Sequence, residues 1–192
     1  MIKENIAFKN LFVTVGTTKF SKLIDTITKK EVLDILQSLG ITFVQLQTGK
    51  DFPGPKLDPN VEQLCSIRSE SGSYTVELEK KITLKYNEYF EDFNNEIEKS
   101  DLVISHAGAG TCLEVLHKKK PLLVVINEDL MDNHQMELAE ELENQGYLYH
   151  CTCNTLVQAL KQDFSALKHY SKPEKFVFSR FLDKCIGLSD GK

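Results

Sequence analysis

The chain has 192 residues, which is enough for one well-buried domain and short for two. Its 41% hydrophobic and 27% charged residues exclude general disorder. The net charge is −5 and Lys118-Lys119-Lys120 is the single compact basic run, which speaks against nucleic acid as a partner, since such a binder needs a basic face.

In chain order, Leu11-Phe-Val-Thr-Val15 is an apolar, β-branched run closed by Gly16, which predicts a strand. Thr17-Thr18 is then a loop, and the spacing of Phe20, Leu23, Ile24 and Ile27 predicts a helix. Ile41-Thr-Phe-Val-Gln-Leu46 is a second strand, followed by a loop from Thr48 to Asn60 that holds Gly49, Pro53, Gly54, Pro55 and Pro59. Asp58-Pro59 has the form of a helix cap and first turn leading to Leu64. Ser73 to Leu84 alternates around Glu79-Lys-Lys81, as a hairpin or pair of short strands that departs from pure βαβ order.

After Asn87 a helix carrying Tyr89, Phe90, Phe93 and Ile97 leads to the strand Leu102-Val-Ile104. A helix from Thr111 to His117 ends at Lys118-Lys119-Lys120, where positive charge suits the helix dipole. Leu122-Leu-Val-Val-Ile126 is a continuous apolar run, the pattern of a central parallel strand covered on both faces. Asp132 opens a helix through Leu138, Ala139 and Leu142 that stops at Gly146, and Tyr147-Leu-Tyr149 is a last short strand. Asn154 to Leu160 is helical, and beyond Pro173 the pattern Phe176, Val177, Phe181, Leu182, Cys185 predicts an amphipathic helix over 173–188. The fold class is α/β: one domain over 1–192 with a mainly parallel sheet, an antiparallel hairpin insertion and flanking helices.

No stretch approaches the roughly 20 apolar residues that span a bilayer, and Met1-Ile-Lys-Glu-Asn lacks the apolar core of a signal peptide, so a cytoplasmic chain is expected. Cys65, Cys112, Cys151, Cys153 and Cys185 have irregular spacing and give no disulfide framework. Strand alternation puts Cys151 and Cys153 on one face, but a second ligand pair at finger-like spacing is missing and no metal is expected there.

Ligands of open α/β sheets bind beyond the carboxyl ends of the strands, and three segments fall at that edge: Gly16-Thr-Thr18, His106 to Glu114, and Asn127 to Gln135. In the second, a buried strand runs through Gly108-Ala-Gly110 straight into a helix. That construction stabilises an anion through unpaired N–H groups at the positive end of the helix dipole. It also makes a tight turn with no ligand at all. Thr111-Cys-Leu-Glu114 and Asp132-Asn-His-Gln135 can each be read as a capping box. There is no P-loop pattern, and Gly108-Ala-Gly110 lacks the third glycine of a dinucleotide fingerprint.

Three motifs together resemble the nucleotide-sugar-binding half of the GT-B glycosyltransferases: Leu11-Phe-Val-Thr-Val-Gly-Thr-Thr18, Ser100-Asp-Leu-Val-Ile-Ser-His-Ala-Gly-Ala-Gly-Thr111, and Lys120-Pro-Leu-Leu-Val-Val-Ile-Asn127 with Leu130-Met-Asp-Asn-His-Gln135. The likeness runs from Leu11 to about Tyr149. It is strongest to the UDP-N-acetylglucosamine transferases of dolichol-linked oligosaccharide synthesis, and extends to the bacterial peptidoglycan GlcNAc transferase. The resemblance implies a Rossmann-like C-terminal-type GT-B domain that binds UDP-GlcNAc as donor substrate, without cofactor or metal. It implies that Gly16, Thr17 and Thr18 approach the diphosphate, and that Gly108, Ala109, Gly110 and Thr111 hold it. Glu114 would accept hydrogen bonds from the ribose, Asn133, His134 and Gln135 would face the sugar, and the uracil would lie near Tyr89-Phe90. His106 and His134 are the candidates for the catalytic base.

By the same resemblance the reaction is inverting transfer of GlcNAc to GlcNAc-pyrophosphoryl-dolichol. A complete GT-B enzyme has two halves, so activity would require a membrane-anchored acceptor-binding subunit that recruits this chain to the cytosolic face of the endoplasmic reticulum, with the 173–188 helix either docking there or packing back on the domain. A nucleotide-sugar epimerase is the weaker rival, and a non-catalytic nucleotide-sugar-binding or regulatory module is the alternative reading.

Overall fold

The structure, a computed structural model, describes residues 8–63, 65–70, 73–78, 82–129 and 133–170. The expected helix over 173–188 and the cap at Asp132 lie outside the described residues. The first half of the chain holds β1 (Asn10–Thr14), α1 (Ser21–Ile27), α2 (Lys30–Ser38), β2 (Phe43–Gln47) and α3 (Pro59–Glu62). Then come β3 (Cys65–Glu70), β4 (Ser73–Leu78), β5 (Thr83–Asn87) and α4 (Phe93–Lys99). The second half holds β6 (Leu102–His106), α5 (Ala109–His117), β7 (Leu122–Ile126), α6 (Asn133–Asn144), β8 (Tyr149–Thr152) and α7 (Leu156–Ala159), followed by a 3-10 turn at Phe164–Ala166.

The strands form one sheet in the order β3-β4-β5-β2-β1-β6-β7-β8. All pairs from β5 to β8 across that order are parallel, and β3-β4 and β4-β5 are antiparallel. The expected hairpin is therefore present, as β4-β5. The additional strand β3 was not anticipated, because Cys65-Ser-Ile-Arg-Ser-Glu70 is a mostly polar run with five exposed residues and no buried face.

Alternation along the central strands covers both faces of the sheet. Leu11 and Val13 of β1 point to one face, where they join Leu23, Ile24 and Ile27 of α1 and Val32, Leu33 and Leu36 of α2. Phe12 points to the other, where it joins Ile97 of α4, Cys112 and Val115 of α5, and Ala139 and Leu142 of α6. Each Val, Leu, Ile or Phe among them, once fully buried, contributes roughly 1.5–3 kcal/mol. Phe90 and Phe93 pack edge-on against Phe12 at 5.8 and 5.5 Å between ring centroids.

Helix ends explain where the sequence expectations slip. The Asp92 carboxylate accepts the Asn95 N–H at 3.0 Å and fixes the start of α4 at Phe93, so Tyr89 and Phe90 lie in the preceding loop rather than in a helix. As expected, Asp58 caps α3, accepting from Asn60 N at 2.8 Å. Three helices end in the same way, with a left-handed residue whose N–H reaches back three positions while the next N–H reaches back five. Gly40 after α2 and Gly146 after α6 take this place, and so does Lys119 after α5, at φ 56°. Tyr147 N donates to Leu142 O at 3.0 Å in the closure of α6, which is why the last strand begins at Tyr149 and not at Tyr147.

The lysine run closes α5 at Lys118, as expected, and has a further task. Lys120 Nζ reaches past α5 to the carbonyls of Glu98 and Ser100, at 2.8 and 2.7 Å, and caps the end of α4. Lys118 pairs with Glu98. Cys151 ends up in β8 and Cys153 in the turn after it, both buried in the core, where burial raises the Cys151 thiol to about 12. No helix among the described residues is long and apolar enough to cross a membrane.

Candidate functional site

A cleft of about 440 Å³ lies at the carboxyl ends of the central strands. Gly16 and Thr17 line it from the turn after β1, Gln47 from the end of β2, and Phe90 and Phe93 from the approach to α4. His106 at the end of β6 and Gly108 just after it line the cleft too, and Gly110, Thr111 and Glu114 line it from α5. Residues from two of the three segments singled out by sequence thus meet in one place.

The turn after β1 is built by its threonines. Thr14 Oγ1 accepts the Gly16 N–H at 3.0 Å, and Gly16 turns the chain at φ +60°. Thr18 closes the turn: its N–H and its hydroxyl both donate to the Val15 carbonyl, at 3.2 and 2.8 Å. Thr18 is a turn-former and does not line the cleft, whereas Thr17 does.

Between this turn and the one after β6 stands the imidazole of His106, 8% exposed. A Cβ added at Gly16 would lie 2.4 Å from His106 Cε1, and one added at Gly108 would lie 2.4 Å from Nε2. Both glycines therefore leave room for this ring, a reason for glycine that spacing alone does not reveal. Nδ1 is buried without a hydrogen-bond partner among the described residues. Burial lowers the pKa from its ordinary 6.5, the Thr14 backbone acting the other way, and leaves the ring neutral at pH 7.

Helix α5 starts at Ala109, two residues before the expected Thr111, with Gly108 at the cap position and no side chain capping it. Its first intrahelical bond is Cys112 N to Gly108 O, at 3.0 Å, so the N–H groups of Ala109, Gly110 and Thr111 have no helical partner. Thr111 lies inside the first turn, and the capping-box reading of Thr111 and Glu114 does not hold. The exposed Glu114 carboxylate makes no hydrogen bond to another described residue and lines the cleft. The Ala109 side chain is exposed and outside the lining.

The third segment is only partly described. Asn127 is buried and its Oδ1 accepts the Asp129 N–H at 3.2 Å, which shapes the turn after β7. Asn133 and His134 begin α6, their side chains lie outside the described set, and the half-buried Gln135 is not part of the cleft lining. The Lys50 N–H donates to the Tyr89 hydroxyl at 3.1 Å and ties the loop after β2 to the loop after β5.

Sequence reasoning missed Gln47 and the lining role of Phe93. The available signal for Gln47 was Val44-Gln-Leu-Gln47, in which apolar residues alternate with two glutamines on a strand too central to be half solvated; Gln45 and Gln47 are each only 6% exposed.

The sequence profile of the glycosyltransferase family 28 C-terminal domain matches residues 10–183. The chain is 43% identical over 148 residues to the UDP-N-acetylglucosamine transferase subunit ALG13 of Mus musculus, covering 77% of this chain and 11% of that protein. It is 33% identical over 194 residues to the protein of the same name from Cryptococcus neoformans var. neoformans, covering 92% of this chain and 96% of that one. The chain thus spans about a ninth of the mouse relative and nearly all of the fungal one. Among solved structures, an NMR solution structure of ALG13 superposes with a TM-score of 0.67 at 29% identity, covering 92% of this chain and 96% of the other.

Proposed function

Because the chain belongs to the glycosyltransferase family 28 C-terminal domain family, we propose that it is the donor-binding catalytic subunit of an inverting N-acetylglucosaminyltransferase. Its donor is UDP-GlcNAc, its acceptor is GlcNAc-pyrophosphoryl-dolichol, and it acts with a membrane-anchored acceptor-binding subunit at the cytosolic face of the endoplasmic reticulum. The observation that carries the reading is the uncapped first turn of α5 opening on the same cleft as Thr17 and Glu114.

The 4-hydroxyl of the acceptor GlcNAc attacks the anomeric carbon, the bond to the UDP oxygen breaks, and the configuration inverts. Negative charge grows on the departing diphosphate. The N–H groups of Ala109, Gly110 and Thr111 and the dipole behind them stabilise that charge without reorganising, so the reading requires no divalent cation. Glu114, with its acceptor oxygens unused, suits the two ribose hydroxyls. Phe90 and Phe93 offer an apolar wall on the side where the uracil is expected.

His106 is neutral, as a proton acceptor must be, but the edge of its ring is enclosed by Gly16 and Gly108, which favours a role in spacing the two turns. That leaves His134, or a group on the acceptor-binding subunit, as the base.

The test is transfer of labelled GlcNAc from UDP-GlcNAc to a GlcNAc-pyrophosphoryl lipid, by the purified chain alone and together with membranes that carry the partner and lack their own copy of this subunit. Disaccharide lipid formed only in the combined sample, and lost with Glu114→Ala, is the expected result. No transfer in either sample from folded protein would overturn the transferase reading in favour of a nucleotide-sugar-binding module.

A further inference from the structure

The turn after β1 consumes donors that a glycine turn would otherwise offer a ligand. The Gly16 N–H goes to Thr14 Oγ1, and the N–H and hydroxyl of Thr18 both go to Val15 O. Next to this turn stands Gln47, in register with Thr14 across the β1-β2 pair and 94% buried, since 6% of it is exposed. The Thr14 hydroxyl accepts from Gly16 and gives its own proton to Gln47 Oε1 at 2.6 Å. That bond sets the rotation of the amide: the oxygen turns to β1, and the two Nε2 hydrogens are left for the cleft that Gln47 lines.

The contrast with Gln45, two residues earlier on the same face, is informative. Its Nε2 is fully used, donating to the Lys85 carbonyl at 2.9 Å and to Asn87 Oδ1 at 3.0 Å, and this amide stitches β2 to β5. Gln47 Nε2 has no acceptor among the described residues, although its other end is held by a short bond. A donor fixed in this way before binding loses little rotamer freedom on meeting an acceptor.

We propose that Gln47 Nε2 donates a hydrogen bond to a phosphate oxygen of the nucleoside diphosphate in the cleft, and that Thr14 is the positioning residue that aims it. The inference rests on the nucleotide-binding reading above. It places a neutral donor on the β1-β2 side of the diphosphate, opposite the three free N–H groups of α5, where the Gly16 N–H is already spent.

The test follows the side-chain amide signals of Gln47 in the ¹⁵N-labelled full chain, titrated with UDP and separately with uridine. The proposal expects those signals to shift with UDP and to stay with uridine. Gln47→Leu and Thr14→Val should weaken UDP binding about tenfold while leaving uridine binding unchanged, and Thr14→Ser, which keeps the hydroxyl, should restore it. If UDP moves the backbone signals of Gly108 to Thr111 but not the Gln47 amide, this inference falls and the nucleotide reading stands. An equal response to uridine overturns the phosphate assignment. If nothing in the cleft responds to UDP, the nucleotide reading falls and takes this inference with it. The wild-type signals decide the matter even if a variant fails to fold.

Discussion

Gly16 and His106 share a space that holds one of them only because the other has no side chain: a Cβ on Gly16 would stand 2.4 Å from His106 Cε1. A Cβ on Gly108 would meet the same edge of the ring, at 2.4 Å from Nε2. Gly16→Ala and Gly108→Ala should each cost about 1–3 kcal/mol in urea unfolding. In a His106→Ala background most of the Gly108→Ala penalty should vanish, because nothing is left to collide with. Gly16→Ala should keep about 1 kcal/mol there, because its left-handed backbone is disfavoured for any side chain. Equal penalties with and without the imidazole would show that the ring is not the obstacle.

Burial of His106 makes stability depend on pH with a definite sign. Its folded pKa is lowered, so on acidification the unfolded chain takes up the proton first. The contribution is complete above the ordinary value of 6.5 and is lost as pH falls below it toward the depressed folded value. Thermal melts of the wild type should show a midpoint that drops below pH 6.5, and His106→Gln should flatten that part of the curve. A wild-type and variant difference that stays constant from pH 7.5 to about pH 5 would contradict the assignment.

The contact from Lys50 N–H to the Tyr89 hydroxyl is one bond on an exposed surface, and its effect should be local. Tyr89→Phe should speed amide hydrogen exchange at Lys50 and its neighbours and change global stability by less than about 1 kcal/mol. Unchanged exchange at Lys50 would mean that the loop is held by other contacts, such as Phe52 stacked on Tyr86 at 5.5 Å.

Two adjacent lysines should respond in opposite directions. Lys119 sits where helices favour glycine, at φ 56°, so Lys119→Gly should stabilise by about 1 kcal/mol. Lys120→Met should destabilise by about 1 kcal/mol, because two carbonyls at the end of α4 lose their charged donor. Chemical denaturation of the two variants side by side checks both signs.

The central strands β1, β6 and β7 were legible because they are buried on both faces and read as apolar runs; Leu122 to Ile126 matches β7 residue for residue. The edge strand β3 was not, since five of its six residues are exposed and its sequence is under no pressure to alternate. Helix starts were misjudged: α5 begins behind Gly108 rather than at Thr111, and α4 begins behind Asp92, after Tyr89 and Phe90 rather than with them. Within the cleft, glycines and threonines announced the site, but the division of labour among Thr14, Gly16 and Thr18 follows from which atoms lie within hydrogen-bond distance, and spacing does not carry that. Gln47 was visible only as a polar residue out of place on a buried strand.

The position of β1 has a consequence for synthesis. It is the fifth strand from the β3 edge and the fourth from the β8 edge, pairing with β2 on one side and with β6 on the other, so that Leu11 meets Val44 and Leu102 in the same register. A nascent chain emerging from the ribosome can give β1 its first neighbour early. The second neighbour, and the lid that α4 and α5 place over Phe12, exist only once translation has passed α5. Throughout that interval the most hydrophobic strand of the amino-terminal half is an open sheet edge, and it is the segment on which a holding chaperone would be expected to act.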